Sequence, residues 1–598
     1  MALKKPPSKN SITVKSIKLL FSTAPIMCAI FIAMEIIFCL IPIFSSKVIS
    51  QIVNVFTSFY DIQMNSLMML VAFYVFMNIS VQALSPVRNM ISERLSDKVA
   101  KESEMLFNSK IISLHSINCF ENNRFYNEMQ LARNGCGQRL ISSLQMVSSL
   151  LRGVITISLT AGYMIGIHWL IGSISLLAVI PNTIYNYWVS KNRVALFRSQ
   201  AESSRKLSYF SSLLSSPTYA KEIRLFGLGE YIIHKYKSLF ISEYRRINKT
   251  RTKQCWIGMI CASIGALVNG VALIMFINMA ISSKATAGDI TLYISLLPQF
   301  IGGLQMLING FQQTKNNNYY IKHFFDFVER DFGDTNGLKR IGNQDGIQRI
   351  AVEKLWFRYP NSEKYVLRNI SFAVNKPALI AIVGENGSGK STLIKLLMRL
   401  FDTTAGTIAI NDTSIQEYDI AELRKRMSGV FQDPARFSFT VRENLSFATR
   451  ENSIHEAEMW EACDKAGLKT LFEQSTNGLD TMLGKQFEGG AELSGGQWQK
   501  LSLARAFLSN ASVLFFDEAS SDLDPTAEQA FYQSVREYAK DKIAFYITHR
   551  LSGTKDADLL IVMKNGEIAE IGTHRDLISK NGEYARLYNA QVAGYKLN

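Results

Sequence analysis

The sequence is short of charge and of cysteine. Asp, Glu, Lys and Arg make up 19% of its 598 residues while hydrophobic types reach 47%, so the chain has far too much apolar surface to be intrinsically disordered. Its seven cysteines include no CxxC pair, which excludes a disulfide-stapled secreted fold and a structural zinc site. Acid is scarce in one half only. Residues 1–339 carry 34 Lys/Arg against 17 Asp/Glu, whereas residues 340–598 carry 31 against 33. A nucleic-acid binder gathers its positive charge in stripes on a soluble fold. Here the basic half also holds the long apolar runs, so no nucleic-acid partner is expected.

Six such runs stand out, at 19–43, 66–84, 141–166, 168–189, 255–280 and 290–311. Each is near the roughly 20 residues that cross about 30 Å of hydrocarbon, and none has the polar face of an amphipathic core helix. The first is too long for a signal peptide and has no small-residue cleavage site after it. Lys and Arg are retained on the cytoplasmic side of a membrane. The segments 85–140 and 190–254 hold 8 and 14 of them and the tail before the first run holds five, while the opposite loops hold only Lys47 and Lys284. Both termini are therefore expected in the cytoplasm, with the chain multi-pass in a membrane. Ionisable residues are few inside the runs, and Glu35 and Arg152 stand out. Each is expected either to face an aqueous cavity and touch cargo or to pair with the other.

After residue 311 the pattern changes to a polar stretch, a Gly/Asp-rich connector and then strand-length apolar runs alternating with helical ones, the mark of a sheet covered on both faces. Residues 378–392 read ALIAIVGENGSGKST, an apolar strand, a glycine loop and the start of a helix. Gly384, Gly387 and Gly389, with Asn386 and Ser388 between them, let backbone N–H groups turn towards phosphate oxygens, and the helix start adds partial positive charge. In this pattern Lys390 neutralises the β/γ-phosphates, and the Ser391 hydroxyl, followed by Thr392, is placed for Mg²⁺. Further on, residues 513–518 read VLFFDE. Asp517 is expected to hold Mg²⁺ through water, and Glu518 to orient or deprotonate an attacking water.

Between the two lies LSGGQ, residues 493–497, which resembles the signature of ATP-binding cassette (ABC) proteins. The resemblance implies that Leu493, Ser494, Gly495, Gly496 and Gln497 cap the γ-phosphate of ATP bound by an opposite subunit. It further implies that Tyr359 stacks on adenine and that Gln432 links Mg²⁺ to the membrane domain. Residues 521–524 (SDLD) resemble the D-loop, with Asp524 acting in trans, and His549 resembles the switch histidine that contacts the γ-phosphate. Departures lie at Asp522, where the family usually has Ala, and at 484–493 (GKQFEGGAEL), where its Gly-Glu-x-Gly segment is altered.

The whole layout is similar to that of an ABC half-exporter. It comprises a cytoplasmic tail (1–18), a six-helix α-helical transmembrane domain (19–311) with two long cytoplasmic loops (85–140 and 190–254), a connector (312–349) and an α/β P-loop nucleotide-binding domain (350–598). Segments 120–126 and 221–227 resemble the loops that dock on nucleotide domains. Trp498 after the signature is similar to exporters of nisin-type peptides. What this implies is a homodimer in a bacterial cytoplasmic membrane, in contact with membrane lipid, that uses ATP and Mg²⁺ to move a ribosomally made modified or antimicrobial peptide outward. A lipid or multidrug exporter and an ATP-gated protein that does not pump are the alternatives. No leader-cleaving peptidase is expected within residues 1–18.

Overall fold

Apolar runs long enough for a bilayer are built into helices that are longer still. The computed structural model describes residues 9–57, 64–167, 169–282, 285–332, 336–342, 346–360, 362–449, 454–485, 487, 489–519, 525–548 and 550–596. The chain divides into two compact units, residues 1–111 with 128–330 and residues 112–127 with 331–598.

The first unit is helical. In chain order the helices are α1 (Lys9–Thr23), α2 (Pro25–Thr57), α3 (Met64–Ile112), α4 (Asn123–Arg133), α5 (Gln138–Ile167), α6 (Trp169–Ser215), α7 (Pro217–Leu225), α8 (Gly229–Ile281) and α9 (Ala287–Glu329). The expected first span at 19–43 is broken at Ala24. Pro25 begins a new helix at the position where its missing N–H leaves no bond unmade, and α2 then carries the apolar stretch. Among the described residues, five helices are long and apolar enough to cross a membrane: α2, α3, α5, α8 and α9. The expected fourth run, 168–189, falls mostly on α6; residue 168 itself lies outside the described residues.

The segments expected as long loops are largely helix. α3 runs 49 residues and α8 runs 53, about 74 and 80 Å at 1.5 Å per residue, against about 30 Å of hydrocarbon. The expected connector is likewise helical through Glu329. Hydropathy registers only where the lipid ends, whereas these helices continue as amphipathic ones. On the extension of α3, Leu95, Val99, Ser103 and Phe107 are buried at every fourth position, and Phe107 meets Phe327 of α9 with ring centroids 5.5 Å apart. α9 starts on a capping box, in which Thr286 and Asp289 satisfy each other's backbone N–H. An apolar core among α2, α5, α6, α8 and α9 contains Ile43, Met164, Val179, Phe276, Tyr293 and Phe300. In contrast, none of the span-length apolar window of α3 is buried within the chain.

The second unit is α/β. Its strands are β1 (Ile350–Phe357), β2 (Leu367–Val374), β3 (Ala378–Gly384), β4 (Ala405–Ile410), β5 (Thr413–Ser414), β6 (Met427–Val430), β7 (Val513–Asp517), β8 (Ile543–Ile547), β9 (Leu559–Lys564) and β10 (Glu567–Gly572). A six-stranded sheet has the order β10-β9-β3-β8-β7-β6 and is parallel except at β10. A four-stranded antiparallel sheet, order β2-β1-β4-β5, was not foreseen as a separate layer. The pleat sorts β3 cleanly between two cores. Leu379, Ala381 and Val383 join a cluster with Trp498, Leu501 and Phe531. Ile380 and Ile382 face the other way, into a cluster with the antiparallel sheet and with Leu393 and Leu397. Residues 115–117 fold with this unit: the Ile117 N–H and the Arg424 Nη2 donate to the carbonyls of Leu400 (3.0 Å) and His115 (2.9 Å).

Candidate nucleotide site

β3 ends at Gly384, and residues 385–389 turn into the helix Lys390–Leu397. Gly384, Gly387 and Gly389 have φ of 151°, 79° and 101°. At Gly389, the N-cap, a Cβ would come within 2.5 Å of Leu367 Cδ2, so both conformation and space require glycine. Asn386 and Gly387 are exposed at the crest of the loop. Lys390 is buried, and its Nζ donates to the carbonyl oxygens of Gly384 (2.9 Å) and Glu385 (3.0 Å). Burial holds its ammonium below the ordinary lysine value, with Glu518 and Asp517 acting in the opposite sense. Ser388 is also buried and its Oγ has no hydrogen-bond partner among the described residues. An orphaned hydroxyl beside an ammonium that rests on carbonyls fits a phosphate chain, which would satisfy both.

The second wall comes from β7. Ser391 Oγ donates to Asp517 Oδ1 at 3.0 Å. Asp517 is buried, and burial raises its carboxyl, opposed by the Ser391 bond and by Lys395 and Lys390. The next residue, Glu518, has φ 50°, a left-handed conformation that a non-glycine residue adopts only when its surroundings enforce it. Here its N–H donates to the Ile547 carbonyl of β8 (3.2 Å), and its Oε2 accepts from Gln432 Nε2 (2.9 Å). Tyr359 completes the group. Its hydroxyl lies 3.0 Å from Thr392 Oγ1, and its ring stands edge-on to Phe357 (5.1 Å) and Phe401 (5.4 Å). Beside it opens a cavity of about 450 Å³ lined by Arg358, Tyr359, Pro360 and Thr404.

The structure thus gathers Tyr359, the glycine loop, Gln432, Asp517 and Glu518. The 493–497 stretch is built separately. Leu493 is buried, and Ser494 is the N-cap of the helix Gly495–Leu508, in a reciprocal capping box with Gln497. Gly495 and Gly496 form the first turn, where N–H groups have no helical partner. Trp498 is an interior side chain of that helix, 2% exposed. Asp524, the rest of the 521–524 segment, and His549 lie outside the described residues.

In the helical unit Glu35, 2% exposed, has its carboxylate 3.0 Å from Arg152 Nε of α5 and 3.8 Å from Arg88 Nε of α3. Pairing is therefore the arrangement found. Arg88 was missed as a partner because it lies just past an apolar run and reads as loop.

A phosphate-binding loop closing a parallel strand, with an acid pair two strands away in the same sheet and bilayer-length helices on the same chain, defines a membrane protein driven by nucleotide. The ABC transporter family profile matches residues 367–521. The chain is 28% identical over 576 residues to the subtilin transport ATP-binding protein SpaT of Bacillus subtilis, covering 96% of this chain and 93% of that one. To the nisin transport ATP-binding protein NisT of Lactococcus lactis subsp. lactis it is 30% identical over 430 residues, 71% of each. An ATP-dependent lipid A-core flippase of Pseudomonas fluorescens is 36% identical over 349 residues, 57% of this chain and 56% of that. The fold is that of a bacterial Atm1-family ABC exporter solved with ATP bound, at a TM-score of 0.78 and 22% identity, over 94% of this chain and 98% of the other. The chain belongs to the ABC transporter family, as a half-exporter that couples ATP hydrolysis to transport.

Proposed function

We propose that the protein exports a ribosomally made, nisin-type modified peptide across a bacterial cytoplasmic membrane, with both termini in the cytoplasm. The observation that carries the cargo class is the similarity to a subtilin transporter along nearly the whole of both chains, membrane unit included. The flippase matches cover less, from about half to 84% of this chain. The working form is a homodimer. Ser494 and Gln497 bond to each other rather than to the loop that holds Lys390, which supports a second copy whose signature closes on the first copy's ATP.

In this reading Tyr359 stacks on adenine, and the amides of residues 386–392 cradle the phosphates. Lys390 leaves the Gly384 and Glu385 carbonyls for the β/γ oxygens. Ser391, Gln432 and, through water, Asp517 would hold Mg²⁺, whose chemistry is to neutralise charge on the phosphates. Glu518, held off ordinary backbone geometry and tethered by Gln432, orients and deprotonates the attacking water. His549 contacts the γ-phosphate, and Asp524 acts across the dimer. Closure of the paired nucleotide units on ATP turns the membrane cavity outward, and hydrolysis resets it. Segments 120–126 and 221–227, the latter with exposed Leu225 and Phe226 at the end of α7, relay the motion.

The test is ATPase activity in reconstituted vesicles. A nisin-type precursor peptide is expected to stimulate turnover and lipid A to leave it unchanged. Stimulation by lipid A and not by peptide would transfer the protein to the lipid exporters.

A further inference from the structure

We infer that the membrane-entry end of α8 binds the phosphate headgroup of an anionic phospholipid. From residue 244 to 280 the sequence has five basic residues, Arg245, Arg246, Lys249, Arg251 and Lys253, and no acid. One face of the helix is tied to α6: Tyr185 Oη donates to the Gln254 carbonyl (2.9 Å) and Ser203 Oγ to Glu243 (3.0 Å). The opposite face places Arg245, Lys249 and Lys253 at every fourth position, all exposed, one above another along the helix. Tyr244 and Trp256, 52% and 62% exposed, join them around a cavity of about 560 Å³. Among the described residues none of these three cations pairs with an acid, whereas Arg246 is held by Glu243 at 2.7 Å.

Depth decides what such a face meets. The apolar run begins at 255, so Lys253 lies about 3 Å and Lys249 about 9 Å below it along the helix. A headgroup layer is about 5–7 Å thick on each side. Lys253 is within that layer and Lys249 reaches back into it with its long side chain, whereas Arg245, about 15 Å below the run and beyond a Debye length of about 8–10 Å, is largely screened. Trp256 sits where interfacial aromatics anchor helices. A soluble acidic ligand would match the cations but not the uncharged helix directly above them; a phospholipid matches both, phosphate on the lysines and acyl chains along the span. Each cation near the surface is worth about fivefold in affinity for anionic lipid.

The full-length transporter is reconstituted in phosphatidylcholine vesicles containing either brominated phosphatidylglycerol or brominated phosphatidylcholine. Trp256 fluorescence is isolated by difference from the Trp256→Phe variant. Brominated phosphatidylglycerol is expected to quench Trp256 several-fold more at equal content. The double variant Lys249→Gln/Lys253→Gln is expected to lose the preference, Lys249→Arg/Lys253→Arg to keep it, and inorganic phosphate to leave it unchanged. Equal quenching by the two lipids overturns the inference. So does relief of quenching by inorganic phosphate, which marks a free-anion site. Absence of quenching by either lipid also overturns it, because the face is then covered by a second copy.

Discussion

At Tyr359 two interactions are separable. In the proposed function the ring stacks on adenine, and the hydroxyl lies 3.0 Å from Thr392 Oγ1. Base–aromatic stacking is worth about 1–3 kcal/mol, so Tyr359→Ala is expected to weaken ATP binding about 5- to 150-fold, read by nucleotide titration. Tyr359→Phe keeps the ring and is expected to change affinity far less; equal loss in both would assign the effect to the hydroxyl. Glu518 is a different kind of residue. Glu518→Gln preserves size and a bond to Gln432 but removes the proposed base, so ATP is expected to bind as before while turnover falls by about 10²–10⁴. Undiminished steady hydrolysis would remove Glu518 from its role. The glycine loop and the acid pair were legible because glycine placement and a strand-terminal acid are local signals. The positive φ of Glu518 and the Tyr359–Thr392 bond were not, since both depend on what neighbouring strands and loops bring close.

At the level of elements, the ion triad joins three helices that hydropathy treats one by one. Glu35 on α2 reaches Arg152 on α5 at 3.0 Å and Arg88 on α3 at 3.8 Å. Removing one arginine leaves Glu35 buried with a single partner, at a cost below the about 3–5 kcal/mol of leaving a buried charge wholly unpaired. Arg152→Gln is therefore expected to lower the melting temperature more than Arg88→Gln, whose contact is longer, measured by thermal unfolding in nanodiscs. Equal shifts would mean that both arginines bind Glu35 alike. Helix ends were the least legible feature, since α3, α8 and α9 carry on for many turns beyond their apolar stretches on faces packed against neighbours. A second cross-element link runs from β9 to the glycine loop. Lys564 and Arg586 hold Glu583, and Arg586 also reaches Glu385. The Arg586 and Lys564 bonds pull the Glu583 carboxyl down to about 2. A carboxyl depressed in the folded state contributes stability that is complete above its ordinary value of 4.5 and disappears as pH falls towards about 2. Glu583→Gln is expected to lower the denaturation midpoint at about pH 6, to lower it less at about pH 3, and to converge with the parent only below about pH 2, checked by urea unfolding across that range.

For the whole molecule, the question is whether one chain completes its own ATP site. Lys390 and Ser494 stand on separately built elements, and if the site forms across a two-fold axis each copy supplies a glycine loop to one site and a signature to the other. That arrangement makes a distinctive prediction about mixtures. Lys390→Ala and Ser494→Ala chains are each expected to be inactive alone, because every site in either homodimer has one damaged half. When the two are co-expressed, a mixed dimer combines both lesions in one site and leaves the other site whole. Random pairing makes about half of the dimers mixed, so about a quarter of all sites are intact, and ATPase is expected to reappear at a level set by how far one intact site turns over without its twin. Tandem purification on two different tags isolates the mixed dimer and raises that level further. A site completed within one chain gives the opposite result: each copy keeps its own lesion, no pairing repairs it, and the purified mixed dimer stays as silent as its parents.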